Sequence, residues 1–355
     1  MSQHHAVIRR WFNTLFILIS LFVFAYPVGR LAYWYSNMPV FAWSCGLGVW
    51  IVTVVASRYV FSGPKMKFRY FVVQWMGVSF IFACWTLVAD LLNLFADISN
   101  MAMAQSVLSM AVISIVVAVL ISHHLAVKQF TISSAKVDRK YRIAQISDVH
   151  IGSRQKGFMA RIVKKLNATN PDIVVITGDL IDSSAVDIEA LESIRQIGVT
   201  ILFSIGNHER YADLPKVLDM AEQLGITMLR QQTHQEGQLA ITGIDDADDP
   251  DQVALHLPTL PQSVEKFNIL LYHRPVGWDS AIDHGVDLML SGHTHNGQIF
   301  PFNILVKQQF RHIAGLYVEN DARLYVSSGT GTWGPLMRLG SLNEITLFDV
   351  LPDDQ

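Results

Sequence analysis

The stretch YRIAQISDVH, residues 141–150, ends an apolar run with an aspartate and a histidine two positions apart. The same pattern, an apolar run followed by ligand-capable side chains, recurs along the rest of the chain. The polar groups are Asp148-Val149-His150, Gly178-Asp179-Leu180-Ile181-Asp182, Gly206-Asn207-His208-Glu209, His273 and Gly292-His293-Thr294-His295. Because open α/β sheets bind ligands at the carboxyl ends of their strands, this series predicts one site built from several strand ends.

Apolar runs and helical periodicity alternate through this part of the chain. The run 172–177 is continuously apolar, as expected for a strand buried on both faces. Strands alternate with helices early and crowd together later, which favours a layered α/β sandwich over a purely doubly wound sheet. We predict strands at 141–147, 172–177, 200–205, 226–229, 239–243, 267–272, 287–290, 323–326 and 344–349, and helices at 157–167, 186–196 and 213–224.

The first part of the chain is far more apolar. Four apolar stretches, at 11–28, 39–57, 70–95 and 101–122, each approach or exceed the roughly 20 residues that a helix needs to cross a hydrocarbon core. No small-x-small cleavage pattern follows the first stretch, so we interpret it as a retained helix. The expected organisation is a bundle of about four transmembrane helices over 1–127, a linker at 128–140 and an α/β domain over 141–355.

Charge divides the chain in nearly the same place. Residues 1–130 hold eight Lys/Arg and two acids, a balance of +6, and the remaining 19 basic and 28 acidic residues give −9. We therefore expect no nucleic-acid partner, because phosphate contacts need a basic face. The two cysteines, Cys45 and Cys84, lie in apolar stretches, which excludes a disulfide framework or a thiolate zinc site.

Basic residues are concentrated in alternate loops between the apolar stretches, and by the positive-inside rule those loops face the cytoplasm. They are Arg9 and Arg10 before the first stretch, Arg58, Lys65, Lys67 and Arg69 between the second and third, and Lys128, Lys136, Arg139 and Lys140 after the fourth. This distribution predicts a multi-pass protein of the cell membrane, with the lipid bilayer as a partner and a cytoplasmic C-terminal domain. Asp90 is interpreted as a helix-end acid, with an intramembrane polar contact as the alternative.

Oxygen and nitrogen donors occur together in the polar groups. Asp148 and His150, two apart at a strand end, point the same way and can bind one cation. Asp179 has two oxygens and can bridge two ions, and Asn207 offers a neutral oxygen. Further nitrogen donors are His273, His293 and His295. This mixed set suits Mn²⁺, Fe or Zn²⁺ better than Mg²⁺ or Ca²⁺, and two ions about 3.5–4 Å apart form a site for displacement at phosphorus.

The order D-x-H, GDxxD, GNH[DE], H, GHxH resembles the signature of the calcineurin-like metallophosphoesterase superfamily, over residues 141 to about 350. The resemblance implies two metal sites that share Asp179. One would take Asp148, His150, Asp179 and His295, and the other Asp179, Asn207, His273 and His293. It also implies that His208, oriented by Glu209, protonates the leaving oxygen or stabilises the phosphoryl group, and that Asp182 orients a metal ligand.

Two later segments resemble a narrower group, the membrane-attached metallophosphoesterases of bacteria and animals. They are GHTHNGQI at 292–299 and SGTGTWGPLMRLG at 328–340, with Asn296 where that group often has glycine. Arg338 is a candidate ligand for a substrate phosphate, with a plain loop arginine as the alternative. Trp333 is predicted to face either the membrane or the substrate. The acidic run 245–250 is interpreted as a solvated turn that caps a helix, with a third cation site as the alternative.

These features predict a membrane-anchored phosphohydrolase with two divalent ions, of phosphodiesterase or pyrophosphatase type, acting on a lipid-linked or nucleotide-linked phosphate. The alternative is a membrane sensor or scaffold whose cytosolic domain binds metal and nucleotide without turnover. Intact His208 and Glu209 favour the enzyme. A transporter is disfavoured because, Asp90 apart, the apolar stretches lack the charged or broken-helix features of transport pathways. The oligomeric state and the natural substrate are left open by the sequence.

Overall fold

The computed structural model describes residues 14–61, 66–154 and 157–353. The chain forms two compact units that divide between Val119 and Leu120. The predicted start of the first apolar stretch, at 11–13, and the basic residues Arg9, Arg10 and Lys65 lie outside the described residues.

Four long helices begin the chain: α1 (Thr14–Ser36), α2 (Pro39–Phe61), α3 (Met66–Asn93) and α4 (Asn100–His123). A π-helical turn at Leu21–Ala25 lies within α1. Each helix is long and apolar enough to cross a membrane. The predicted bundle of about four membrane-crossing helices is confirmed in number and in place along the chain.

Asp90 connects two of these helices. It forms an ion pair with Arg30 of α1 and accepts a hydrogen bond of 2.6 Å from the hydroxyl of Tyr26. A carboxylate within an apolar helix is stable when it is paired in this way. Asp90 lies three residues before the end of α3, as the helix-end interpretation expects, and in addition it makes a polar contact with α1.

Two six-stranded sheets form the second unit. Their strand orders are β1-β12-β2-β3-β4-β5 and β10-β11-β9-β8-β7-β6. The strands are β1 (Leu125–Ser133), β2 (Tyr141–Ile146), β3 (Ile173–Thr177), β4 (Thr200–Ser204), β5 (Thr227–Met228), β6 (Gln232–Glu236), β7 (Leu239–Ile244), β8 (Phe267–Tyr272), β9 (Leu288–Ser291), β10 (Gly315–Glu319), β11 (Ala322–Val326) and β12 (Asn343–Leu351). The predicted layered α/β sandwich is confirmed.

The core lies between the two sheets and under the helices. Ile143 and Val175 of the first sheet pack in one buried cluster with Ile241 and Ile269 of the second. Because successive strand residues point to opposite faces, Ala144 packs in a second cluster under the helix Phe158–Asn167. The parallel strands β2, β3 and β4 consequently end at one edge of their sheet, where the polar groups follow.

Helices connect and cover the strands of the second unit. They are α5 (Phe158–Asn167), α6 (Asn207–Tyr211), α7 (Leu214–Gln223), α8 (Gln252–His256), α9 (Trp278–Asp283) and α10 (Phe302–Gln309). The helix predicted at 186–196 is instead two 3₁₀ segments, Ile188–Ala190 and Glu192–Gln196. Leu191, Ile194 and Ile197 are buried at a spacing of three residues, which matches the 3₁₀ period rather than the α-helical one.

The segment 128–140, predicted as a linker, contains most of strand β1. β1 pairs in parallel with β12 from Leu125↔Asn343 to Ser133↔Leu351. The pattern is hard to see in the sequence because β1 is an edge strand whose side chains are mostly only partly buried, so its apolar signal is weak. The second unit therefore begins before the predicted boundary at 127, in the last turn of α4.

Candidate metal centre

The backbone is strained where the predicted metal ligands lie. Asp148, His150, Asp179, His293 and His295 all have positive φ, between 50° and 72°. Residues other than glycine adopt this left-handed region at an energetic cost, and such strain concentrates at functional sites. The strand-end loops thus bend sharply enough to turn these side chains toward one another.

Two glycines allow the loops to approach closely. A Cβ atom on Gly206 would lie 2.3 Å from Oδ1 of Asp179, and one on Gly292 would lie 2.0 Å from Oγ of Ser147. Any larger residue would displace these neighbours, so both positions require glycine. The close approach at Gly292 lets the backbone N–H of the next residue, His293, donate to Oδ1 of Asp148 at 3.0 Å.

Asp148, His150 and His295 form one group of potential ligands, with their donor atoms within 4.8 Å of one another. Nε2 of His295 lies 3.4 Å from Oδ1 of Asp148 and 3.0 Å from Nε2 of His150. All three residues are buried. Two imidazole nitrogens and one carboxylate oxygen therefore point at a shared position.

Asp179, His273 and His293 form a second group. Nε2 of His273 lies 3.2 Å from Oδ2 of Asp179 and 3.2 Å from Nδ1 of His293. The other nitrogen of His273, Nδ1, lies 2.8 Å from the carbonyl oxygen of Thr177, so Nε2 is the one presented to the site. The same Oδ2 of Asp179 lies 4.0 Å from Nε2 of His150, between the two groups.

These residues fit divalent cations. Oδ1 of Asn207 is buried and has no hydrogen-bond partner among the described residues. A buried polar atom of this kind is costly unless another group satisfies it. Two pairs of imidazole nitrogens also face each other at 3.0 and 3.2 Å, an arrangement that a cation between them would stabilise. The mixed oxygen and nitrogen donors suit Mn²⁺, Fe or Zn²⁺.

Asp182 joins His150 and His208. Its Oδ1 lies 2.9 Å from Nδ1 of His208 and also binds Nδ1 of His150, while its Oδ2 accepts from the hydroxyl of Ser153. Nε2 of both rings is thereby directed into the site. The side chain of His208 is 18% exposed, whereas that of His150 is 1% exposed, so His208 is the one open to a bound molecule.

The carboxylate of Glu209 contacts backbone N–H groups rather than the ring of His208. Its carboxylate accepts hydrogen bonds from the backbone N–H groups of Gly206 at 2.8 Å, Asp179 at 2.9 Å and Ile181 at 3.1 Å. Glu209 thus connects two ligand-bearing loops. The acid that contacts the ring of His208 is Asp182, where Glu209 was predicted. The order of residues does not indicate which acid binds His208, because both acids stand close to histidines along the chain.

The carboxylates of the site raise the pKa values of two of its histidines. Burial lowers the pKa of His150, but Asp182, Asp179 and Asp148 outweigh it and raise the pKa to about 9. Burial is likewise outweighed at His273, where Asp179 and Asp148 raise the pKa to about 10. For the protein side chains alone, both rings are therefore protonated at neutral pH, and cation binding displaces those protons.

The other two histidines of the ligand groups, His293 and His295, are neutral. Burial and the neighbouring charge of His273 lower the pKa of His293 to about 3. Burial, then the charges of His150 and Arg338, lower the pKa of His295 well below its ordinary value. Since imidazole binds metal in its neutral form, both rings are already in the form that a cation needs.

Arg338 lies behind the site. It is fully buried, and its Nη2 donates to the carbonyl oxygens of Ser328 and Gly331, each at 2.6 Å. The same Nη2 lies 3.3 Å from Nδ1 of His295. This placement favours the alternative of a loop arginine over the predicted contact with a substrate phosphate, because the guanidinium is enclosed by the glycine-containing loop 328–334, whose carbonyls it binds.

Two exposed aromatic rings flank His208. The ring centroids of Trp333 and Tyr211 each lie 5.9 Å from that of His208. Gln298 holds the backbone of Trp333, accepting from its N–H at 3.0 Å and donating to its carbonyl at 2.9 Å. Trp333 therefore borders the site. Tyr211 was not predicted, although it follows the Gly206–Glu209 motif by only two residues.

The acidic run 245–250 is largely ion-paired. Asp245 pairs with Arg230 at 2.8 Å and Asp246 with Arg274 at 2.7 Å, while Asp248 pairs with Arg210 at 3.0 Å. Asp249 accepts a hydrogen bond from the backbone N–H of Asp251 at 2.9 Å, directly before α8, so the predicted turn at a helix start is present, but three of its acids are ion-paired rather than solvated. Arg210 and Arg274 directly follow motif residues, so these pairs fix the ends of two ligand-bearing segments.

The fold and the ligand groups define a class: an α/β sandwich with two adjoining metal-binding groups at its strand ends. Residues 141–297 match the family model of the calcineurin-like phosphoesterases. This part of the chain is therefore a calcineurin-like phosphoesterase domain.

Similar proteins occur in bacteria and animals. An uncharacterized metallophosphoesterase of Helicobacter pylori is 35% identical over 64% of this chain and 65% of its own length. One of Campylobacter jejuni is 34% identical over 63% of each chain. A Danio rerio protein, named a transmembrane protein with metallophosphoesterase domain, is 36% identical over 58% of this chain and 52% of its own. The matches thus span about half to just under two thirds of these relatives. With its four apolar helices, this chain too is a membrane protein.

Proposed function

We propose that this chain is a membrane-anchored phosphohydrolase that holds two divalent ions and cleaves a phosphodiester or pyrophosphate bond. The observation that carries the proposal is the position of Asp179, whose Oδ2 lies 3.2 Å from His273 of one ligand group and 4.0 Å from His150 of the other. A carboxylate so placed can bridge two ions. When bound, the ions stabilise charge on the phosphoryl oxygens and lower the pKa of a water molecule.

The proposed ligands divide between the two ions, with Asp179 shared. Asp148, His150 and His295 complete one set, and Asn207, His273 and His293 complete the other. The metal is Mn²⁺, Fe or Zn²⁺ on donor chemistry. Ser147 and the backbone N–H of His293 hold Asp148 in place, through hydrogen bonds of 2.6 and 3.0 Å.

His208 is proposed to act on the substrate directly. Its Nδ1 is occupied by Asp182 at 2.9 Å, which leaves Nε2 to give a proton to the leaving oxygen or a hydrogen bond to the phosphoryl group. Asp182 is a positioning residue for both His208 and His150. Glu209 acts at a further remove, by holding the loops of Gly206 and Asp179 together.

The proposed substrate is a lipid-linked or nucleotide-linked phosphate. Only His124 separates the end of α4 at His123 from the start of β1 at Leu125. A domain tethered so closely to a membrane-crossing helix meets bilayer-borne phosphates at a high effective concentration. The exposed rings of Trp333 and Tyr211 beside His208 supply apolar or stacking surface for the rest of such a molecule.

We further propose that the domain faces the cytoplasm across the cell membrane, as the basic loops indicate. Val264→Cys on the domain and Asp97→Cys between α3 and α4 test this in cells, with Cys45 and Cys84 replaced by alanine. An impermeant maleimide is expected to label position 97 in intact cells and position 264 only after permeabilisation. The reverse pattern would overturn the orientation.

Hydrolysis is tested on detergent-purified, full-length protein stripped of metal and resupplied with Mn²⁺. Release of p-nitrophenol from bis-p-nitrophenyl phosphate is expected for the native chain and absent in Asp179→Ala. Asp187→Ala is the matched control, because Asp187 is an exposed acid outside the ligand groups. Equal rates in both variants would contradict the proposal.

The sensor alternative has a distinct outcome in the same preparation. In this outcome the chain binds two ions and binds nucleotide tightly, but it releases neither p-nitrophenol nor phosphate from nucleotide and lipid pyrophosphates. That result would support a sensor or scaffold instead of a hydrolase. Metal content is measured by elemental analysis on the protein used for the assay.

A further inference from the structure

The metal centre is bordered by a group of exposed apolar side chains, here called the apolar rim: Phe300, Ile304, Leu305, Trp333 and Leu342. The first four are 55%, 53%, 54% and 56% exposed, and Leu342 is also exposed. Single exposed apolar residues are common, but a connected group of them beside a site marks an interaction surface. The segments that carry the rim are bound to one another by hydrogen bonds.

Three segments carry the rim and bind one another through their backbones. The N–H of Phe300 donates to the carbonyl of Leu339 at 2.8 Å, and the N–H of Leu339 donates to that of Gln298 at 3.0 Å. Gln298 also holds Trp333 through both ends of its amide. The hydroxyl of Ser341, beside Leu342, donates to the carbonyl of Gln298 at 3.0 Å, so the segments 298–305, 333–339 and 341–342 are held together.

Helix α10, which carries Ile304 and Leu305, does not contribute a buried residue to the domain. Its sequence, FNILVKQQ, nevertheless has four large apolar residues among eight. A helix on a soluble surface normally turns its apolar face to the core. The apolar residues of α10 are thus suited to an environment other than water, outside the core of the domain.

The same segments bind the end of a membrane-crossing helix. In the last turn of α4, the hydroxyl of Ser122 donates to the carbonyl of Leu336 at 3.0 Å. The carbonyl of Ser122 accepts from the side chain of Asn343 at 2.6 Å. Leu336 stands three residues after Trp333, and Asn343 directly follows Leu342. The rim is therefore continuous with the point where the chain leaves the membrane-crossing segment.

We propose that the apolar rim docks on the surface of the lipid bilayer and holds the metal centre at the level of the headgroups. The occupant is lipid rather than protein because the rim adjoins the end of a membrane-crossing helix, and exposed Lys307 on α10 is suited to anionic headgroups. The rim adjoins the site directly: Trp333 lies beside His208, and the ring of Phe310, which follows α10, lies 5.3 Å from that of His293.

The experiment measures depth in the bilayer and requires no catalysis. Full-length protein with Cys45→Ala and Cys84→Ala is reconstituted in nanodiscs of phosphatidylcholine and phosphatidylglycerol. A nitrobenzoxadiazole label is attached at Ile304→Cys, or at Val264→Cys as a control, since Val264 is 90% exposed and lies outside the rim. Lipids that carry a nitroxide near the headgroup then quench labels within the interface.

Quenching of at least about twofold is expected at position 304, because interfacial helices lie about 5–10 Å into the boundary of headgroups and acyl chains. No more than marginal quenching is expected at position 264. Absence of quenching at 304, or equal quenching at both positions, would overturn the proposal.

A second variant tests whether the apolar side chains cause the docking. Phe300→Ser with Leu305→Asp, added to the label at 304, is expected to abolish quenching, and unchanged quenching would contradict the role of the rim. If a second copy of the chain covers the rim, emission at 304 changes only in discs with two copies and lipid quenching stays absent, which also overturns it. Neither readout depends on turnover, so failure of the hydrolase proposal is recognised separately.

Discussion

Nδ1 of His208 lies 2.9 Å from Oδ1 of Asp182, and the same oxygen binds Nδ1 of His150. One carboxylate therefore fixes the ring of a proposed metal ligand and the ring of the proposed proton donor. Removal of His208 and removal of Asp182 should consequently have different effects, because only Asp182 acts on both rings.

His208→Ala is expected to lower kcat on bis-p-nitrophenyl phosphate about 10²–10⁴-fold, the usual contribution of a proton donor, with both ions still bound. Asp182→Asn is expected to lower kcat and also to weaken Mn²⁺ binding about 10–100-fold. Glu192→Gln, on the surface, is the control. Rates and metal titrations on the same preparations check this, and loss of metal from His208→Ala would contradict the assigned role.

Metal binding is expected to release protons. The pKa of His150 is raised to about 9 and that of His273 to about 10, so both rings are charged at pH 7 unless a cation replaces the proton. The affinity for Mn²⁺ should therefore rise with pH up to about 9, by about tenfold per unit for each proton displaced.

Calorimetric titration in buffers of different ionisation enthalpy at pH 7 counts these protons. A release close to two per chain is expected, and no release would show that the rings are neutral beforehand. In the metal-free protein the stabilisation from the raised pKa values is full below the unfolded value near 6.5 and is lost as pH rises through about 9–10.

Arg338→Met separates the two interpretations of this arginine. The change retains the volume but leaves the carbonyls of Ser328 and Gly331 without their donor, which costs about 1–3 kcal/mol for each buried group. A lower thermal midpoint and weaker Mn²⁺ binding are expected, the latter because Arg338 adjoins His295. Arg195→Met, at an exposed position, is the control. A raised KM with unchanged stability would instead support the interpretation that Arg338 binds the substrate phosphate.

Asp349 provides a pH test away from the site. Hydrogen bonds from Arg142, at 2.7 and 2.9 Å, and from Lys140 lower the pKa of Asp349 to about 2. Its contribution, about 2 kcal/mol at most, is present above the unfolded value near 3.9 and is lost as pH falls through the folded value.

Asp349→Asn should accordingly lower the free energy of unfolding at pH 7, with a smaller difference near pH 3 and almost none at about pH 1. Thermal unfolding of the full-length chain in detergent measures the difference, with Asp219→Asn on the surface of α7 as the control. An equal loss at every pH would show that the ion pair does not stabilise the fold.

Strong periodicity made much of the fold predictable. β8 has the predicted bounds, and the four long helices follow the four apolar stretches. Weak signals failed for a physical reason: β1, β6 and β10 are edge strands that bury few side chains, so their residues need not be apolar. The 3₁₀ segments at 188–196 were predicted as one helix because periods of 3.0 and 3.6 residues differ little over so short a stretch.

The sequence by itself determined the donors of the candidate site, because carboxylates, an amide and imidazoles at the ends of apolar runs have only one edge of a sheet on which to meet. The tertiary structure decided which of them act together. In the folded chain His208 pairs with Asp182, and Arg338 is enclosed behind His295. The carboxylate of Glu209 binds the backbone N–H groups of Gly206, Asp179 and Ile181. Those pairings depend on loops with positive φ that bring distant residues within hydrogen-bond distance, and the order of residues along the chain does not specify such distances.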